Sequence, residues 1–459
     1  MLRAPAIVCL SLLLCAATRA LAAEPATTFT LANGLQVVVL PDHRLPVVTH
    51  AVYYRAGSAD DPPGQTGIAH YLEHLMFKGT KRFPNGQYDL IVTRAGGTNN
   101  AYTSNDKTYY YEQVLKDGLA SVMELDADRM VGLDVAGSEA EHELKVVLEE
   151  RLSYLGDPES VLANNAGRAL YGRGVYAHPV LGEPAETSAL TLAAALAFHA
   201  RFYAPAQAIV VVAGDAEPGT VRALAEATYG KLPASPVPPT RDWTSMPVQC
   251  PDGLVEERHE RVARDKAIAY FVTPGAASLG VQTAAALSLL ADILQDQAAS
   301  PIWRSLLDQD APVSDLSAGY ELKLAAGEFS ITLTAGQGAQ ASQIRAALMQ
   351  ALTRLRQRGI DAPVLEAAKR RQLAERLLRA DDQLGEATRY GEQLAIGRSL
   401  AEIEAEPTTI TSVTLADVNA VLRDFLPNRC FTIALLERDT ASAGTRQRPA
   451  APLSTRAVH

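Results

Sequence analysis

The sequence predicts an α+β protein made of two related halves, and three observations carry that reading. Strand and helix patterns follow one another without the strict alternation of a parallel βαβ fold. A proline-rich stretch that has neither period, LPASPVPPTRDWTSMPVQCPDG, divides the chain at 232–253. Each half also closes on the same order of patterns. TLAAALAFHARFYAPAQAIVVVAGD in the first and TLADVNAVLRDFLPNRCFTIALLE in the second each run from a helix through a proline stop to a buried strand. Any helix–proline–strand unit has this shape, so the echo suggests duplication without demanding it.

Taken in chain order, residues 1–23 read as an export signal. Arg3 gives a positive start, APAIVCLSLLLCAA is an apolar run short for a membrane span, and ALAAEP supplies small residues for cleavage. No later run is long and apolar enough for a transmembrane helix. The first domain is expected over 24–231, the linker over 232–253, the second domain over 254–440 and a flexible tail over 441–459. LQVVVLPD and VVTHAVYYRAG alternate and are bounded by turn residues, which predicts a hairpin. EAEHELKVVLEERLSYL and VLEAAKRRQLAERLLRA have helical apolar spacing. The 459 residues suffice for two or three ordinary domains, and 47% hydrophobic with 20% charged residues is a globular balance. A net charge of -10 with no long basic run argues against a nucleic-acid partner. Cys9 and Cys15 would leave with the signal. Cys250 and Cys430 remain, and in an oxidising compartment they could pair or stay as separate buried thiols.

The stretch GIAHYLEHLMFKGT (67–80) carries the chemistry. On a helix at about 100° per residue, His70, Glu73, His74 and Phe77 fall on one side while Ile68, Leu72 and Leu75 face a core. Imidazoles at i and i+4 can reach one ion, and the Glu73 carboxylate can hold or deprotonate a water beside it. A histidine pair on a helix is as often solvated surface, so a third ligand is required. In EHELKVVLEERL, Leu144, Val147, Leu148 and Leu152 form an apolar stripe, with Glu143 and Glu150 at one border and Glu149 turned to water. That favours Glu150 as the ligand and Glu143 as a supporting carboxylate, although both could merely solvate the helix edge.

With those residues in view, the chain resembles the pitrilysin family of zinc peptidases, the inverzincins, which include insulin-degrading enzyme and the mitochondrial processing peptidase. HYLEH has the family's His-x-x-Glu-His form, and Glu150 follows His74 by 76 residues. AGSADDPPGQTGIAHYLEHLMFKGT and AGGTNNAYTSNDKTYYY are also similar to the family's. The resemblance covers most of the first half and is weaker in the second. It implies Zn²⁺ held by His70, His74 and Glu150, with Glu73 as general base and Glu143 in support. It implies a substrate-binding edge strand at Asn100, Ala101 and Tyr102, which pairs with extended peptide through backbone groups. It implies two homologous domains, each an antiparallel β-sheet with helices packed on one face.

Two departures matter. The second half has no copy of the motif; its nearest counterpart is AAALSLLADIL. Active relatives carry an arginine and a tyrosine in a segment like LR-x-x-x-GLAY, where this chain has WRSLLDQDAPVSDLSAGY. Leu307 and Ser314 take those two places, and Arg304 and Tyr320 are out of register. The expectation is therefore a periplasmic zinc endopeptidase acting on peptides or unfolded segments. The expected assembly is with a homologous partner subunit that supplies the missing pair, or a homodimer. The rival is a structural subunit of the same family, which would need a broken ligand set.

Overall fold

The computed structural model describes residues 24–234, 253–426 and 431–439. The signal segment, Cys250, Cys430, nearly all of the linker and the tail lie outside the described residues.

Two sheets organise the molecule. The first has strands β1 (Thr27–Thr30), β2 (Gln36–Pro41), β3 (Val47–Tyr54), β4 (Thr98–Thr103), β5 (Thr108–Leu115) and β6 (Ala208–Gly214), in the order β1-β2-β6-β3-β5-β4. The second has β7 (Gly253–His259), β8 (Lys266–Pro274), β9 (Val313–Leu322), β10 (Ala326–Ala335) and β11 (Phe431–Arg438), in the order β7-β11-β8-β10-β9. Apart from β1, the second order repeats the first strand for strand. Each sheet is antiparallel except for one parallel pair, β2 with β6 and β7 with β11.

The hairpin expected from LQVVVLPD and VVTHAVYYRAG does not form. β6 lies between β2 and β3, parallel to one and antiparallel to the other. The reason is burial. All seven residues of AIVVVAG are buried, and a strand that is apolar on both faces needs neighbours on both sides and cover above and below.

Twelve helices of eight or more residues are described: α1 (Ile68–Leu75), α2 (Gln87–Arg94), α3 (Leu119–Gly132), α4 (Gly137–Leu155), α5 (Pro158–Tyr171), α6 (Leu192–Phe202), α7 (Pro218–Ala227), α8 (Val281–Gln295), α9 (Ala341–Arg358), α10 (Ala362–Arg379), α11 (Gln383–Ala395) and α12 (Leu415–Phe425). Most cover one face of the sheet of their own half. Two cross over. Ala387, Tyr390 and Leu394 of α11 pack on Ala51, Tyr53 and Val211 on the back of the first sheet. Leu162 and Ala166 of α5 pack on Ala434 and Leu436 of the second. The exchange places part of each half's core on the other half's chain.

The second half also grips the tip of the β4–β5 hairpin. Asp106 accepts from the Leu324 amide at 2.8 Å and from the Tyr176 hydroxyl at 2.6 Å, and that hydroxyl accepts from the Ala325 amide at 3.0 Å. The edge strand β4 is thereby held at a fixed place relative to both sheets.

Candidate metal centre

Helix α1 starts at Gly67, whose φ of 90° lies in the left-handed region. A side chain there would also meet Leu181 O and Thr187 Oγ1 at 3.0 Å, so glycine suits both the backbone and the space. Asp61 accepts from the Gly67 and Ala69 amides at 2.7 and 3.1 Å, satisfying first-turn donors. Ile68, Leu72 and Leu75 are fully buried, as the periodicity requires. The helix ends at Leu75, so Phe77 lies beyond it and packs edge-on to Tyr88 at 5.4 Å.

Helix α4 runs beside α1, fastened by the Tyr71 hydroxyl, which donates to Ala140 O at 2.7 Å. Its buried face differs from the expected stripe. Leu152 is 68% exposed, and the buried positions are Ala140, Glu143, Val147 and Arg151. Two of those four are charged because they meet polar partners there. Arg151 Nε donates to Gly182 O at 3.0 Å, and Glu143 meets His74 and Lys78. Glu149 is exposed, as expected.

This packing brings the three candidate ligands together. Oε2 of Glu150 lies 3.3 Å from Nε2 of His74 and 3.7 Å from Nε2 of His70. One ligand atom from each of the three falls within 4.8 Å of the others. The rings stand at 71° to each other with centroids 4.8 Å apart. The other nitrogen of His74, Nδ1, sits 3.0 Å from Glu143 Oε1, and Lys78 Nζ holds Glu143 Oε2 at 2.6 Å. A carboxylate behind a ligating imidazole fixes its ring and raises its basicity. Nδ1 of His70 is buried with no such partner.

The electrostatics suit a dication. Burial and the neighbouring His74 push His70 down to about 4, so it is a neutral imidazole at pH 7. Burial opposes protonation of His74 as well, but Glu143, Glu150 and Glu73 outweigh it and lift His74 to about 9. The hydrogen bond from His74 holds Glu150 below the ordinary carboxylate range. Burial pushes Glu73 up, against the opposing pull of Thr103 and His74. Three carboxylates thus surround two imidazoles with Lys78 as the nearby cation. Two nitrogens and one carboxylate oxygen are the donors of a hydrolytic zinc site with an open position. The residues fit the group.

Strand β4 borders this centre and is an edge of its sheet, paired with β5 alone. The Ser104 amide turns inward to Lys107 O at 2.8 Å. Alternation then puts the Ala101 and Thr103 backbone groups on the free edge. The Ala101 amide is occupied by Asn100 Oδ1 at 2.8 Å, and Asn100 is exposed. Tyr102 points to the opposite face, into a cavity of about 400 Å³ between the halves that Tyr320 and Glu321 also line. Leu307 and Ser314 are both exposed.

Two contacts at the centre involve residues outside the predicted set. Thr103 Oγ1 donates to Glu73 Oε2, and Lys78 holds Glu143. Thr103 shares strand parity with Ala101 and Lys78 is four residues beyond His74, so spacing could have raised both. A second buried group, His50, Glu112 and Asp126, also has metal-type donors within 4.8 Å. There a cation is already built in. Arg129 meets Asp126 at 2.7 Å and Glu112 at 3.3 Å, and Tyr229 closes on His50 at 3.0 Å.

Fold and centre together have the form of a metallopeptidase. Residues 36–183 match the family described as Insulinase (Peptidase family M16), and residues 189–372 match the Peptidase M16 inactive domain. The chain belongs to peptidase family M16. It is 36% identical over 205 residues to zinc protease PqqE of Helicobacter pylori, covering 44% of this chain and 46% of that one. It is 29% identical over 210 residues to the mitochondrial-processing peptidase subunit beta of Blastocladiella emersonii, covering 46% and 45%. These alignments span about half the length of the curated relatives. Among solved structures, a protease from Helicobacter pylori superposes with a TM-score of 0.82 at 25% identity, covering 91% of this chain and all of that one. The periplasmic protease PqqL from Escherichia coli shares the fold, with a TM-score of 0.77 at 20% identity, 93% of this chain and 50% of that one covered. These relatives support a peptidase-type function and imply zinc. Among the described residues, no helix is long and apolar enough to cross a membrane.

Proposed function

We propose that this chain is an exported, periplasmic zinc endopeptidase that cuts peptides or unfolded segments, with domains at 24–231 and 254–440. The observation that carries the reading is the convergence of His70, His74 and Glu150 beside Glu73, at the open edge of β4. His70, His74 and Glu150 would hold the ion, and Glu143 would steady His74. When bound, zinc acidifies a water and polarises the scissile carbonyl.

An extended peptide adds to β4 through the outward backbone groups at Ala101, displacing the Asn100 side chain from that amide. Pairing through backbone atoms tolerates many side chains, which suits a peptidase of unfolded segments. Glu73 takes a proton from the attacking water and delivers it to the leaving amine. No covalent intermediate is needed. Tyr102, on the other face of the strand, meets alternate side chains of the bound peptide.

Leu307 and Ser314 stand where relatives carry an arginine and a tyrosine, so a homologous partner subunit supplies that pair. PqqL is described as periplasmic, which supports the same compartment here. The test is to purify the chain from its host, measure zinc per chain and assay a peptide library, alone and with any copurifying sister chain. Glu73→Gln should keep zinc and lose turnover. Zinc-free protein, or a Glu73→Gln variant as active as the parent, refutes the reading.

A further inference from the structure

Thr103 is the last residue of the strand that would carry the substrate, and its side chain reaches Glu73. It is buried, and its hydroxyl donates to Oε2 of Glu73, because an ionised carboxylate can only accept. The neighbouring Thr108 hydroxyl lies 3.4 Å from that of Thr103 and donates to Ala56 O at 3.1 Å. The Thr103 side chain therefore ties the carboxylate to the strand.

We propose that Thr103 is a positioning residue for Glu73. It locks one carboxylate oxygen to β4 so that the other is left aimed at the reacting water. This rests on the peptidase reading above and adds a coupling to it. The strand that reads the peptide and the group that moves the proton are one rigid unit. The scissile carbonyl, placed by pairing at Ala101, and the base, placed by Thr103, keep a fixed separation whatever side chains the peptide bears. A carboxylate free to rotate would lose that alignment, and a displacement of about 1 Å is enough to cost on the order of 100-fold in rate.

The test compares Thr103→Val with Thr103→Ser in the full chain. Valine keeps the shape and suits a strand while removing the hydroxyl; serine keeps the hydroxyl. For Thr103→Val we expect kcat to fall about 10- to 100-fold, with KM and zinc per chain unchanged. Thr103→Ser should recover most of the loss. In a Glu73→Gln background, Thr103→Val should cost nothing further in binding a phosphinic peptide. Full kcat in Thr103→Val, a rise in KM alone, or equal loss in the serine variant overturns the proposal. If the parent cuts no peptide, the functional reading fails on its own. The crystal structure of Thr103→Val then decides: a displaced Glu73 carboxylate supports the positioning role and an unmoved one refutes it.

Discussion

Gly391 of α11 sits against the ring of Tyr53, where the second half docks on the back of the first sheet. A Cβ there would lie 2.1, 2.3 and 2.5 Å from three ring carbons. Carbon atoms settle at about 3.5 Å, so Gly391→Ala requires a displacement of about 1.4 Å. Tyr53 has nowhere to go. It is fully buried and stacked on Tyr109 at 4.7 Å. Overpacking of a rigid core costs about 1–3 kcal/mol, and the upper end applies. Alanine is about 1 kcal/mol better than glycine inside a helix, which offsets part of it. The predicted net loss is about 2 kcal/mol, read as a lower urea midpoint. Tyr53→Leu removes the obstructing ring. In that background, Gly391→Ala should be nearly harmless, a coupling of at least about 1 kcal/mol in the double-mutant cycle. An unchanged or higher midpoint for Gly391→Ala, or additivity within about 0.5 kcal/mol, would show that α11 does not seat here at this distance.

Two further outcomes test the centre and its support. Glu143→Gln should weaken zinc affinity about 10- to 100-fold, measured by competition with a chelating dye, because it removes the charge behind His74. Lys78, with its side chain 25% exposed, can turn to water, so the fold should persist; unaltered affinity refutes the role. His199 is held by burial at about 4, below the ordinary 6.5, with its Nε2 set on Arg129 O at 3.2 Å. Its contribution is complete above pH 6.5 and is lost as pH falls toward 4, at about 1.4 kcal/mol per pH unit. His199→Gln should flatten the stability profile across that window, and a slope equal to the parent's refutes it.

How much was legible follows from how local each feature is. The imidazole pair on α1 was readable because i and i+4 are neighbours on any helix. Glu150 was readable as the border of an amphipathic helix, and the structure brings it to the two rings. The β2–β3 hairpin misled because alternation marks a strand without naming its partner. The true partner, β6, lies about 170 residues along the chain. Leu152 misled because the docked face of α4 is chosen by its polar contacts at Glu143 and Arg151 as much as by its leucines. The exchanged helices α5 and α11 show ordinary apolar spacing, which says that a face is covered but not by which sheet.

That exchange explains why a second half without ligands of its own still bears on the centre. The three candidate ligands come from α1 and α4, and the strand beside them is β4. β4 is paired on one side only, so its position depends on what holds its hairpin. Two of those holds belong to the second half: Asp106 grips the 324–325 turn, and α11 presses on Tyr53 and, through the sheet, on β5. Thr103 then carries the strand's position to Glu73. The placement of the Glu73 carboxylate therefore depends on contacts that the second half makes, although that half has no motif of its own.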